Sequence, residues 1–95
     1  MDYRFLRFHV NRGCEEKFKE AFIQVLTHTR EEEGCVYING YQDQQDPGTF
    51  RIQSCWENQQ AFDAHITTPH VKQFGNLTKD MKDEPGEMYL TDRVI

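Results

Sequence analysis

Four histidines, three cysteines and one tryptophan carry most of the reactive chemistry available to this 95-residue chain, and His65 has the most specific setting. It lies in the run Cys55 to Phe74, CWENQQAFDAHITTPHVKQF. Asn58 caps a helix that opens with Gln59 and Gln60, and Phe62, His65 and Ile66 then fall on one side at helical spacing. A neutral imidazole on an apolar face can take a proton from a phenolic hydroxyl or a carbon acid at neutral pH. The plain alternative is a histidine that hydrogen-bonds a backbone group and caps a pocket floor. Trp56 closes the preceding alternating run, where it either stacks on a flat aromatic ligand or fills the core.

Thr68-Pro69 restarts a helix, with Thr68 as cap and Pro69 at the first helical position. His70 follows His65 by five residues, off the same helical face and beyond a new helix start. That spacing argues against shared metal ligation, for which a helix favours three or four residues. No metal site is expected, and His70 reads as a helix-start or pocket-rim residue. Arg30, near the end of an earlier helix, either binds an anionic ligand or satisfies terminal carbonyls. The run Arg30-Glu31-Glu32-Glu33 reads as a solvated helix end. His28 reads as a solvated helix residue, and His9 as a solvent or interface residue. Cys35 and Cys55 read as small buried hydrophobes without the neighbours of a nucleophile.

The elements that must position these groups follow from periodicity. Tyr3 to Val10 alternates as a first strand, with apolar groups on both faces. Asn11-Arg12-Gly13 turns into a helix from about Cys14 to Glu32, with Phe18, Phe22, Val25, Leu26 and Thr29 as its buried stripe and Gly34 as its stop. Cys35 to Tyr41 and Phe50 to Trp56 form a hairpin around Asp46-Pro47-Gly48. Two short helices follow, the second reaching about Met81, and Met88 to Val94 is a last strand. The order β-α-β-β-α-α-β predicts a single ferredoxin-like α+β domain over residues 1–95, one antiparallel sheet with helices on one face. Tyr3, Phe5, Tyr37 and Tyr41 would lie on the other face. That is too much aromatic surface to leave wet, so a homodimer with facing sheets is expected.

Composition narrows the function classes. Seven Phe, four Tyr and one Trp support a packed domain with an aromatic-lined pocket. A net charge of −5 with no Lys/Arg cluster speaks against nucleic-acid or anionic-membrane partners. Three widely spaced cysteines suit a reduced protein, the N-terminal run does not read as a signal peptide, and cytoplasm is the expected location.

The chain resembles the antibiotic biosynthesis monooxygenase family, a family of dimeric α+β barrels. The resemblance rests on Arg30-x-Glu32-x-Gly34-Cys35, on Asp46-Pro47-Gly48-Thr49-Phe50, and above all on Trp56 followed by Ala61-Phe62-x-x-His65-x-x-Thr68-Pro69-His70-x-x-x-Phe74. It implies an oxygenase without metal, flavin or other cofactor, acting on quinols or polyketide-like aromatics. In such members the pocket helps deprotonate the substrate, which then reacts directly with O2. Three departures stand out. Ser54 occupies a position where the family often has glutamate, and Ile38 one where it often has an aromatic. The haem-degrading branch has a tryptophan at the position of His65 and a histidine at that of Gly75, so that branch is not expected.

With the resemblance, His65 is the expected proton acceptor and Trp56 a pocket wall. Leu6, Phe8, Phe22, Phe62 and Phe74 are expected lining, with Arg30 and His70 as further substrate contacts. An isomerase or lyase acting on a small phosphorylated carbonyl compound is the alternative, with Lys72 or Arg30 gripping the phosphate. A third reading is a ligand-binding stress-response dimer without turnover, which Ser54 in place of glutamate would suit.

Overall fold

Alternation sorts β1 (Asp2–His9) into two faces, with Arg4, Leu6 and Phe8 turned toward the helices and Tyr3, Phe5, Arg7 and His9 away from them. The computed structural model describes residues Met1 to Ile95. After β1 come α1 (Glu15–Thr29), β2 (Cys35–Gln42), β3 (Thr49–Trp56), α2 (Gln59–His65), α3 (Pro69–Thr78) and β4 (Glu87–Thr91). The strands form one antiparallel sheet in the order β2-β3-β1-β4. This is the expected ferredoxin-like α+β arrangement.

The core lies between α1 and the sheet. Phe18, Phe22, Val25 and Leu26 of α1 pack on Val10, Ile38, Phe50 and Ile52. Phe18 is fully buried at the centre of a phenylalanine cluster, with ring centroids 4.8 Å from Phe50, 5.6 Å from Phe74, 5.7 Å from Phe22 and 5.9 Å from Phe8. Gly40 lets α1 lie close on β2, since a Cβ there would run into Phe22 and Leu26.

Several boundaries differ from expectation. The first helix stops at Thr29, not Glu32: the N–H groups of Glu31 and Glu32 turn back to the carbonyls of His28 and Thr29. Residues 30–33 therefore form a tight turn rather than a helix end, because the chain must reach Gly34 at φ +86°. The third helix ends at Thr78 instead of Met81, and β4 ends at Thr91 instead of Val94. Asn58 caps α2 as expected, accepting from the Ala61 N–H at 2.9 Å. Thr68 occupies the cap position of α3, but its hydroxyl donates to the His65 carbonyl instead of capping.

At the end of β1, His9 binds Asp83 at 2.6 Å and Asp46 at 3.3 Å, joining the β2–β3 turn to the segment after α3. The hydrogen bond to Asp83, with the charges of both carboxylates, raises the His9 pKa above the usual 6.5. A raised pKa means the contribution to stability is complete below 6.5 and is lost as pH rises through the higher folded value. The melting-temperature gap between the native chain and His9→Ala is therefore expected to shrink as pH is raised above 6.5. A gap that widened with pH would contradict the ion pairing.

The sheet face away from the helices carries Phe5, Tyr37, Tyr41 and Tyr89, all exposed. No helix is long and apolar enough to cross a membrane.

Candidate active site

Between the C-terminal turns of α1, the sheet, α2 and α3 lies a cavity of about 140 Å³. Leu6 and Phe8 of β1, Ile38 of β2, Ile52, Ser54 and Trp56 of β3, and Phe62, His65, Val71 and Phe74 of α2 and α3 line it with Val25, Leu26, Thr29 and Ile66. Six of the expected site residues meet here: Leu6, Phe8, Trp56, Phe62, His65 and Phe74. Trp56 is both core and wall, fully buried with its ring 4.7 Å from that of His65 and 5.9 Å, edge-on, from Phe62.

Three expected contacts lie elsewhere. Phe22 packs deeper in the core against Phe18 and Phe50, because α1 brings its later turns, not this one, over the cavity. Arg30 is occupied outside, with Nε donating to the Ile38 carbonyl of β2 and Nη2 to Asn39 Oδ1, rather than to the terminal carbonyls of its own helix. His70 does not line the cavity but touches a residue that orients it.

That residue is Glu32. Its Oε2 lies 2.8 Å from His65 Nδ1 and 2.6 Å from His70 Nε2, and all three side chains are largely buried. The reading of Glu32 as part of a solvated helix end is thus overturned. So is the argument that helical spacing keeps His65 and His70 apart. The helix break at Pro69 bends the chain so that both rings reach one carboxylate. Gly34 holds the turn bearing Glu32 against α2: its φ is +86°, and an added Cβ would sit 2.5 Å from the Ala61 Cβ. The three side chains also form the one grouping of His, Cys, Asp or Glu able to hold a metal ion, their ligand atoms lying within 4.8 Å of one another.

The polar inventory of the cavity is short. The Ser54 hydroxyl donates to the Arg4 carbonyl at 2.9 Å and the Thr29 hydroxyl to the Val25 carbonyl at 2.7 Å. The Trp56 indole N–H is buried without a hydrogen-bond partner. Because the Glu32 carboxylate accepts at Nδ1 of His65, the proton of a neutral ring sits there and Nε2 keeps its lone pair. Around the cavity, then, His65 Nε2 and the Trp56 indole N–H make no hydrogen bond within the protein, amid apolar surface.

Nearby, Arg4 is a buried cation that sequence reasoning missed. It is paired with Asp2 at 2.7 and 3.1 Å and its guanidinium lies 3.8 Å from the Phe62 ring centroid. Lys82 stands outside the lining, 5.2 Å from the Phe8 ring, with its pKa lowered by burial. Cys35 and Cys55 have thiol pKa values raised chiefly by burial, which suits the expected inert role.

Fold and cavity together define a ferredoxin-like α+β domain with a histidine-bearing apolar pocket. The sequence profile of antibiotic biosynthesis monooxygenases matches residues 3–77, and the chain belongs to that family. An uncharacterised protein of Synechocystis sp. is 30% identical over an alignment 74 residues long that covers 74% of this chain and 50% of that protein. The chain spans about half the length of this curated relative. A crystal structure of an antibiotic biosynthesis monooxygenase superposes with a TM-score of 0.95 at 23% identity, covering 100% of both chains. A protein from Nitrosomonas europaea, described as a candidate member, also gives 0.95, at 21% identity and full coverage of both. At these identities the superpositions establish the shared fold.

Proposed function

We propose that the protein is a cofactor-independent monooxygenase acting on a small, single-ring quinol or phenol. The observation that carries this reading is a Glu32-held His65 on the wall of an apolar cavity of ring size. A cavity of about 150 Å³ takes up one benzene ring, and this one measures about 140 Å³. A tricyclic polyketide would need a larger space. No Lys or Arg lines the cavity, which gives a phosphorylated carbonyl compound nothing to bind its charge.

In this mechanism a substrate hydroxyl donates its proton to His65 Nε2, and the Trp56 N–H meets an oxygen elsewhere on the ring. Glu32 stabilises the imidazolium through Nδ1. The electron-rich anion reacts with O2 at a ring carbon to give a hydroperoxide. Loss of water leaves one oxygen atom on the ring, so a hydroquinone and O2 become a hydroxyquinone and water. The four electrons come from the substrate.

The exposed Phe5, Tyr37, Tyr41 and Tyr89 support a homodimer in which two such sheets face each other. Three free thiols fit a reducing compartment such as the cytoplasm.

Oxygen consumption by the protein with a chelator present tests the proposal. A single-ring hydroquinone is expected to be turned over and an anthrone-type tricycle to be ignored. Turnover of the tricycle alone would overturn the assigned substrate size.

A further inference from the structure

Two imidazoles from different helices converge on a single carboxylate oxygen from a third segment. Hydrogen bonding accounts for the resting arrangement, but the same three atoms are the donor set that borderline divalent cations prefer: two neutral imidazole nitrogens and one carboxylate oxygen. Bonds of about 2.0–2.1 Å at tetrahedral angles would place these atoms roughly 3.3 Å apart. Glu32 Oε2 now lies 2.8 and 2.6 Å from its partners, so an ion requires it to withdraw by about 0.5 Å from His65 and about 0.7 Å from His70. A carboxylate in a turn allows that. Side-chain exposures of 13%, 14% and 22% leave the cluster accessible from solvent, with His70 the most exposed member. The exposed His28 ring lies 5.6 Å from that of His70.

We propose that Glu32, His65 and His70 bind one zinc-class divalent ion, and that its binding withdraws His65 from proton transfer. The consequence follows from the tautomer, and it rests on the reading of His65 as the base. With Glu32 as partner, Nδ1 carries the proton and Nε2 is bare. With a cation on Nδ1, the proton of the neutral ring moves to Nε2, and the nitrogen that would receive the substrate proton is blocked. His70 shifts its proton to Nδ1 in the same way, so binding needs no net proton loss from the rings. The ion acts here as an inhibitor, with water as its remaining ligand.

Calorimetric titration of chelator-treated protein with Zn2+ tests the site without reference to turnover. One ion per chain is expected, with Mg2+ giving no heat of binding. Glu32→Gln and His70→Asn are each expected to weaken Zn2+ binding by at least the roughly 10–100-fold that loss of even an outer-shell partner costs. Changing Cys14, Cys35 and Cys55 together to serine should leave Zn2+ binding intact. Nitrogen NMR of the His65 ring should show Nε2 bare before the metal is added and protonated after. No saturable Zn2+ binding, or binding that survives both substitutions or vanishes with the cysteines, would overturn the site. Binding with His65 Nε2 still bare would overturn the switch. Should no quinol prove to be a substrate, the titration and the NMR spectrum still decide the metal site on their own.

Discussion

Replacing His65 with alanine is expected to lower the rate of oxygen consumption on a single-ring hydroquinone by about 10²–10⁴-fold, the usual contribution of a positioned general base. The side chain meets solvent on one side and lies on a short helix, so the fold should survive, as circular dichroism would show. Glu32→Gln should act through His65. A glutamine oxygen can still accept from Nδ1 and hold the ring, but it cannot balance the charge of the imidazolium. A hydrogen bond to a charged group contributes roughly 1.5–3 kcal/mol, so a fall in kcat of about 10–100-fold is expected with KM nearly unchanged. Undiminished turnover in His65→Ala would remove the base from the mechanism. A Glu32→Gln effect confined to KM would remove the orienting role.

Phe18→Ala carries the largest expected cost in stability. The ring is fully buried and touches Phe8 of β1, Phe50 of β3, Phe74 of α3 and Phe22 on the next turn of its own helix. Truncation of a buried Phe typically costs about 3–5 kcal/mol, a large part of the roughly 5–15 kcal/mol that holds a domain together. Urea unfolding should show the midpoint falling sharply. Phe8 and Phe74 also line the cavity, so ligand affinity should fall with it. A loss under about 1 kcal/mol would mean that the cluster repacks around the void, contrary to its tight geometry.

The fold was legible because each signal was local and mutually consistent. Alternation in Tyr3–Val10 marked β1, Asp46-Pro47-Gly48 marked the hairpin, and Asn58 marked the start of α2. The cavity wall was legible for the same reason, since Phe62 and His65 share one face of a seven-residue helix. What escaped depended on tertiary placement. Glu32 follows Arg30 and Glu31, both good helix formers, and nothing local reveals that the chain leaves the helix at Thr29 to reach the positive φ of Gly34. The motif Glu32-x-Gly34-Cys35 held the only available hint. The five-residue spacing and the new helix start at Pro69 seemed to set His65 and His70 apart, yet it is the bend at that start that brings them together. Phe22 shared a stripe with Val25 and Leu26, yet the crossing of α1 over the sheet sends it to the core. Arg4 sat in an alternating strand where a cation on the helix-facing side is unexpected, until Asp2 and the Phe62 ring are seen around it.

The central claim is that His65 Nε2 receives a proton from an aromatic hydroxyl inside the cavity. A crystal structure with a bound single-ring hydroquinone, grown without oxygen, tests it most directly. The account predicts a ring between Trp56 and Phe74, one hydroxyl within hydrogen-bond distance of His65 Nε2 and the Trp56 N–H turned to a ligand oxygen. A ring bound elsewhere, or one whose hydroxyls point away from His65, would contradict it.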